Sequence, residues 1–205
     1  MFDFAGVHLG KVHCKLFYGN RQDAVIPDFD GDGKDDVGQF SHADGRWDMM
    51  PSSGACPARW KVREVHNGRN ICGTYFGLGT DAPAAADYDG DGIADLGFWR
   101  QQNELLMITP SSGVCPGHVP YYTVWDGFSL CARAVTTGTS VPIPADYDGD
   151  GKKDVAQYTP STGLWTVVPS SNQCPSRVRE NQNQLIDGWT GCSSRFGDPT
   201  DVPIR

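Results

Sequence analysis

The sequence predicts an all-β protein built from tandem repeats. The nine-residue pattern D-x-D-G-D-G-x-x-D occurs three times, beginning at Asp28, Asp87 and Asp146, and successive starts are 59 residues apart. Each copy is followed by a short run with β-branched and aromatic residues, which is typical of strands. Pro and Gly recur about every ten residues, a spacing that would break helices and is common in sandwiches and propeller blades.

The acidic loops predict three cation sites. The first, third, fifth and ninth residues of each loop are aspartates, and Ca²⁺ prefers about six to eight oxygen ligands. Intervening glycines permit the turns that bring the carboxylates together, and the seventh residue can add its main-chain carbonyl. The predicted ligands are Asp28, Asp30, Asp32, Lys34 and Asp36; Asp87, Asp89, Asp91, Ile93 and Asp95; and Asp146, Asp148, Asp150, Lys152 and Asp154. A solvated acidic turn is the alternative for one loop, but three in-phase copies favour about three bound Ca²⁺.

An EF-hand is the competing calcium motif, and two features argue against it. Its loop needs a bidentate Glu at the twelfth position, where this chain has Gln39, Phe98 and Gln157. The segments after the three loops also indicate strands, whereas an EF-hand is flanked by helices.

The period extends well beyond the acidic loops. Trp47, Leu106 and Trp165 align, as do the Pro-Ser-Ser turns beginning at Pro51, Pro110 and Pro169. A fixed period of this kind indicates repeats that each contact their neighbours. Alignment of the copies predicts a preceding repeat's tail over 1–26 and three repeats over 27–85, 86–144 and 145–205.

Cysteine spacing predicts one disulfide in each repeat. Six of the seven cysteines form pairs that would close loops of similar size: Cys56 with Cys72, Cys115 with Cys131, and Cys174 with Cys192. Such bonds persist in oxidising compartments, which predicts an extracellular or cell-surface location. Cys14 is left over and is predicted to bond to another segment or chain. Reduced thiols and zinc ligands are the alternatives, but the chain has no CxxC pairs to support zinc.

Composition excludes several classes of protein. No apolar run approaches the length of a membrane span, and no basic stripe suits nucleic acid. The net charge is −8, and the four predicted ligand aspartates of each loop account for 12 of the 25 acidic residues. Three Ca²⁺ would bring the net charge near −2, so most of the acidity is explained by metal binding.

Taken together, these features resemble the FG-GAP or VCBS repeat. The resemblance rests on an acidic loop followed by a strand, on a turn such as 159–163 before an aromatic strand, and on Phe76-Gly77 and Phe196-Gly197 near the ends of units. It implies a four-stranded β-propeller blade per repeat, with Ca²⁺ in a loop at the blade edge as in integrin α chains. Two departures are the cysteine pair in each repeat and a number of units below the usual six or seven blades.

Three functional hypotheses follow. The first is a non-catalytic, calcium-stabilised extracellular module with a structural or adhesive role, which includes a filament subunit, because open sheet edges favour pairing with other chains. Its partners would be copies of itself, further repeats, glycans or cell-surface proteins. The second is a lectin-like module that stacks sugars on Trp60, Trp99, Trp125, Trp189 or Tyr121. An enzyme is disfavoured, since the five histidines show no recurring partner and the paired serines recur in step with the repeat as turn formers.

Overall fold

The computed structural model describes residues 4–8, 11–15, 23–25, 27–66, 68–135, 140–176, 178, 181–186 and 188–196, and no helix occurs among them. The chain is therefore all-β in every part described. The strands are β1 Phe4–His8, β2 Lys11–Lys15, β3 Asp23–Val25, β4 Val37–Ser41, β5 Arg46–Met50, β6 Lys61–His66, β7 Arg69–Tyr75, β8 Ala82–Pro83, β9 Leu96–Arg100, β10 Leu105–Thr109, β11 Tyr121–Trp125, β12 Phe128–Ala134, β13 Val141–Pro142, β14 Val155–Thr159, β15 Leu164–Val168, β16 Asn181–Ile186 and β17 Trp189–Arg195.

Three antiparallel sheets of identical topology follow one another along the chain. Their strand orders are β3-β4-β5-β7-β6, β8-β9-β10-β12-β11 and β13-β14-β15-β17-β16. Each sheet contains the four expected strands and also a short fifth strand from the segment just before the acidic loop. The remaining hairpin, β1-β2, pairs Ala5 with Cys14, and the Cys14 side chain lies outside the described part of the chain.

The inner strands of the three sheets share one register, whereas the outer hairpins differ because β6–β7 and β16–β17 contain a register shift and β11–β12 does not. Val37 pairs with Met50 across β4 and β5, and the residues 59 positions later, Leu96 and Thr109, pair across β9 and β10. Val155 and Val168 repeat that pairing across β14 and β15. Sequence positions that correspond across the repeats therefore correspond in space, which allows the three units to be compared residue by residue.

All three predicted disulfides form, and each one ties the turn after the sheet's third strand to the strand that pairs with it. The Cα–Cα distances are 5.6 Å for Cys56–Cys72, 5.6 Å for Cys115–Cys131 and 5.7 Å for Cys174–Cys192. Bonds closing loops of this size stabilise the folded chain by roughly 3 kcal/mol each.

The apolar core is shared between neighbouring repeats. One cluster contains Phe29, Phe40 and Trp47 of repeat 1 together with Leu96 and Phe98 of repeat 2. The next joins residues of repeat 2, including Trp99 and Ile108, to Val155 and Val168 of repeat 3. The third cluster contains Ala156, Tyr158 and Val167 of repeat 3 and Ile143 from the end of repeat 2. No repeat among the first two completes its core alone, as expected for a repeat array.

Candidate metal centres

Each acidic loop leads into the long strand that begins its repeat, and its glycines set its shape. In the first loop Gly31 and Gly33 have φ values of 80° and 82°. This left-handed conformation is open to glycine at little cost and is strained for other residues. The chain can thus reverse twice within the loop and turn alternate aspartates toward one side.

The first aspartate of each loop accepts two backbone hydrogen bonds. Asp28 Oδ1 accepts from Gly31 N at 2.7 Å, and Asp28 Oδ2 accepts from Gly33 N at 2.8 Å. Asp87 and Asp146 make the same pair of bonds within their own loops. The loop is therefore folded around this carboxylate by main-chain donors.

The ninth aspartate is the buried anchor of the loop. The oxygens of Asp36 accept from Phe29 N at 2.8 Å and from Ser52 N at 2.7 Å. Asp95 and Asp154 receive equivalent bonds from backbone N–H groups at the same spacing. All three aspartates are at most 1% exposed, and each links its loop to the Pro-Ser-Ser turn after the second strand that follows the loop.

Burial of these anchors shifts their protonation. Desolvation is the largest cause in each case: it raises the pKa of Asp95 to about 7 and that of Asp154 to about 6, and it raises the pKa of Asp36. Neighbouring carboxylates push in the same direction, whereas the backbone hydrogen bonds oppose the shift. A buried carboxyl group with a raised pKa is costly to ionise. A cation bound beside it would stabilise the ionised form.

The Pro-Ser-Ser turns do more than form turns, because their serine hydroxyls donate to the loop carboxylates, a role that was not predicted. Ser53 Oγ donates to Asp30 Oδ2 at 2.7 Å, Ser112 Oγ to Asp89 Oδ2 at 2.6 Å, and Ser171 Oγ to Asp148 Oδ2 at 2.7 Å. The preceding serine of the pair also bonds the fifth aspartate: Ser111 Oγ donates to Asp91 Oδ2 and Ser170 Oγ to Asp150 Oδ2, both at 2.6 Å. A hydrogen bond from Ser52 and, after it, contacts with Lys34 lower the pKa of Asp32. The signal for this role was the constant spacing of the serine pairs behind the loops.

Three of the four predicted aspartates converge in each loop. One oxygen from every member of a group lies within 4.8 Å of the others, and the groups are Asp28, Asp30 and Asp32; Asp87, Asp89 and Asp95; and Asp146, Asp148 and Asp154. The remaining aspartate of each set, Asp36, Asp91 or Asp150, is held by the hydrogen bonds given above. Each triad could hold a metal ion, and a donor set made only of oxygens suits a hard cation.

The seventh residue of the second and third loops places its side chain beside a glycine of the preceding loop. A Cβ added to Gly31 would lie 3.0 Å from the Ile93 side chain, and one added to Gly90 would lie 2.8 Å from that of Lys152. Lys34 instead forms an ion pair with Asp32 at 3.3 Å. The Ile93 carbonyl, a predicted ligand, accepts a long bond of 3.4 Å from Ser111 Oγ.

Consecutive loops are also joined through the main chain. Ala94 N donates to the Asp28 carbonyl at 2.6 Å, and Lys153 N donates to the Asp87 carbonyl at 2.8 Å. These two bonds are 59 residues apart at both ends. The candidate metal centres therefore lie side by side along the array, and the order of one loop is coupled to the position of the next.

The aromatic residues proposed as sugar-stacking platforms divide into two groups. Trp60 and Trp99 are buried, with exposures of 4% and 2%, and Trp189 is partly buried against the core of repeat 2. Trp125 and Tyr121 are exposed on β11, at 45% and 54%. Three of the five residues therefore serve packing, and two remain on the surface.

No family model, curated protein or solved structure matches this chain. Within the described ranges, no helix is long and apolar enough to cross a membrane.

Proposed function

We propose that this chain is a non-catalytic, calcium-stabilised extracellular repeat module with a structural or adhesive role. The repeats would be of the FG-GAP or VCBS type, each forming a propeller-like blade. The observation that carries the proposal is the recurrence of an all-oxygen triad in the acidic loop of three successive units, formed by loop positions one, three and five in the first loop and by positions one, three and nine in the other two. Three disulfides support an oxidising location, since such bonds rarely persist in the cytosol.

Calcium would act by relieving repulsion within each loop and so by fixing the inter-repeat contacts. The carboxylates of a triad are held close together by backbone and serine donors, and this arrangement is costly while they are all charged. Bound Ca²⁺ offsets that cost. Because the second and third loops each donate a main-chain hydrogen bond to the loop before them, the stabilisation of one loop extends to the junction beside it.

Chelation tests the proposal directly. A single site stabilises the fold by about 2.7 kcal/mol when free Ca²⁺ is at 100 times its Kd. A chain of this length loses roughly 2–4 °C of Tm per kcal/mol. Chelation at three sites is therefore expected to lower the Tm by roughly 15–30 °C. Scanning calorimetry with EDTA and with excess Ca²⁺ measures this loss. Asp89→Asn should remove about a third of the calcium effect, and Asp126→Asn, in an exposed hairpin turn, is the matched control. A Tm that EDTA leaves unchanged would contradict the proposal.

A lectin-like role is the second candidate, and the outer hairpin of repeat 2 favours it. On β11, Tyr121, Tyr122 and Trp125 are between 45% and 62% exposed, and Phe128 of the paired strand β12 is 43% exposed. The strands of repeats 1 and 3 that correspond to β11, KVREVH and NQNQLI, contain no aromatic residue. Exposed aromatic faces stack on apolar faces of sugars, as they do on other ring systems.

A groove of about 580 Å³ near this hairpin gives a ligand room at the junction of repeats 1 and 2. Asp30, Arg59, Ser112 and Phe128 are among the residues that line it. A glycan array compares wild-type protein with Trp125→Ala, and Trp60→Phe serves as a buried control. Specific glycan binding that is lost only with Trp125→Ala would support the lectin role, and an array without hits would remove it.

A further inference from the structure

The residue directly after β7, β12 or β17 holds one position of the repeat in three different environments. Phe76, Val135 and Phe196 each donate a backbone hydrogen bond to the carbonyl in the turn of their own sheet, at Gly45, Glu104 and Gly163. Their exposures are 4%, 7% and 76%. Phe76 is covered by Phe98 of repeat 2, at 4.7 Å between ring centroids, and Val135 belongs to a core cluster that includes Val155 of repeat 3.

Other positions on the same side of the repeats follow the same trend. Trp47 and Leu106 are at most 1% exposed, whereas Trp165 is only partly buried. Phe29 and Tyr88 are likewise at most 1% exposed, and Tyr147 is partly buried. A Cβ on Gly31 or Gly90 would meet a side chain of the next loop, but one on Gly149 would meet nothing within 4 Å. We call this side, which carries Phe196, Trp165, Tyr147 and Gly149 in repeat 3, the trailing face.

The opposite side of the array shows the converse. Leu96 and Val155, the first residues of their long strands, are each 3% exposed because the preceding repeat covers them. Val37 holds the same position in repeat 1 and is 41% exposed. We call the surface formed by Val37 and the adjoining residues Lys34 and Asp35 of the acidic loop the leading face.

We propose that the trailing face of repeat 3 binds the leading face of repeat 1 in a second copy of this chain. The contact continues the two inter-repeat interfaces already present, so its parts are specified by them. Val37 of the incoming copy packs against Phe196, Lys34 lies over Gly149 as Lys152 lies over Gly90, and Asp35 N donates to the Asp146 carbonyl. The inference deepens the structural role proposed above and rests on it.

The two faces differ from one another, which determines the form of assembly. A contact between unlike surfaces leaves a free leading face on one copy and a free trailing face on the other, so further copies can add head to tail. The acidic loop of the incoming copy supplies two of the three contacts. Assembly should therefore require the same ordered loop as calcium binding.

Two single-face variants and a control test the proposal by sedimentation in calcium. Phe196→Lys disables the trailing face alone, and Val37→Lys disables the leading face alone. Val114→Lys changes a residue that is 68% exposed on a turn and leaves both faces intact. Calorimetry of each variant confirms that it folds.

The expected pattern is specific to a head-to-tail contact. Wild type and Val114→Lys should increase in mass with concentration, and each single-face variant should remain a monomer. Equimolar Phe196→Lys and Val37→Lys should form a dimer of twice the monomer mass and grow no further. A wild type that stays monomeric at every concentration, a mixture that stays monomeric while wild type assembles, or single variants that still assemble would each overturn the proposal.

The monomeric variants also separate this inference from the proposed function. If EDTA lowers the Tm of Phe196→Lys as it does that of wild type, calcium stabilises the repeats independently of assembly. Calcium-dependent stability without self-association would refute the interface alone. Self-association without calcium-dependent stability would refute the proposed calcium role.

Discussion

The two junctions between repeats share a main-chain frame and differ in the side chains that fill it. At the first junction, Arg59 donates to the Ala94 carbonyl at 2.6 Å and to the Thr109 carbonyl at 3.3 Å. At the second, His118 holds the equivalent position, with Nε2 3.2 Å from the Lys153 carbonyl. A permanently charged donor at one junction is replaced by a titratable donor at the other, while the carbonyl acceptor stays in the same place.

The apolar contacts differ in a parallel way. Phe76 meets Phe98 and Trp125 in the first junction, at centroid distances of 4.7 and 5.8 Å. Val135 and Val155 meet in the second, where a cavity of about 10 Å³ remains beside Trp99. A cavity of this size is at the lower limit for one water molecule. The interface between repeats is therefore specified by backbone geometry and position, and each junction is filled by its own combination of side chains.

Alanine substitution of Phe76, Val135 and Phe196, which hold one position of the repeat, should give the largest losses of unfolding free energy, and the loss should decrease along this series. Phe76→Ala should cost about 3–5 kcal/mol of unfolding free energy because it removes a buried aromatic residue. Val135→Ala should cost roughly 2 kcal/mol, from two methyl groups at about 0.8 kcal/mol per carbon. Phe196→Ala should change stability by less than about 0.5 kcal/mol, as expected for an exposed site.

Urea unfolding of the three variants in calcium, at a protein concentration where the chain is monomeric, measures the series. Equal costs at all three positions would show that the residue acts within its own repeat. The inter-repeat interface would then contribute little to stability.

The pH dependence of stability should separate the junctions next. Burial lowers the pKa of His118 to about 4, below the ordinary value of about 6.5. On acidification, His118 is protonated at a lower pH in the folded state than in the unfolded state. The stability present above about pH 6.5 is therefore lost as the pH falls toward 4. The loss at pH 4 should reach at most about 3 kcal/mol.

His118→Gln is the matched variant, because its amide keeps a donor for the Lys153 carbonyl and does not titrate. Calcium-saturated unfolding between pH 4 and 7 should show a shallower pH dependence for His118→Gln than for wild type. Identical pH profiles would show that the second junction does not sense protonation of His118.

Removal of one serine hydroxyl should have the smallest effect. Ser112→Ala deletes the 2.6 Å bond to Asp89, and a hydrogen bond to a charged group contributes about 1.5–3 kcal/mol at most and less where solvent replaces it. We expect a loss of roughly 1 kcal/mol in calcium-free protein and a weaker calcium affinity. Thr162→Ala, which removes a 3.4 Å bond on a turn outside the loops, is the control. Unchanged calcium affinity in Ser112→Ala would show that the serine does not position the carboxylate.

The sequence predicted the features that depend on residue type at a fixed spacing. Acidic loops, strands after them and one cysteine pair per repeat all follow from local pattern, and the structure contains each of them. The short fifth strand was missed because Ala82–Pro83 and Val141–Pro142 are two residues long, too short for any periodicity. The serine contacts were missed because they join residues 20 or 23 positions apart, where only the fold brings the hydroxyl to the carboxylate.

The burial of individual aromatic residues could not be predicted from the sequence either. Trp60 and Trp125 are both tryptophans near the middle of a repeat, yet Trp60 packs edge-on against Phe29 at 5.2 Å and Trp125 is 45% exposed. The difference arises because the two residues hold different positions of the repeat: Trp60 corresponds to Val119, which is also buried, whereas Trp125 lies on the exposed outer strand β11. Contacts between repeats combine side chains from two aligned copies, and a one-dimensional alignment does not reveal which positions face each other.

Calcium stoichiometry tests the central claim most directly. Equilibrium dialysis of chelator-treated protein should find about three Ca²⁺ per chain, one for each triad. Asp30→Asn, Asp89→Asn and Asp148→Asn should each lower that number by about one, and Asp126→Asn should leave it unchanged. Binding of no calcium, or a stoichiometry that these three substitutions leave intact, would contradict the account.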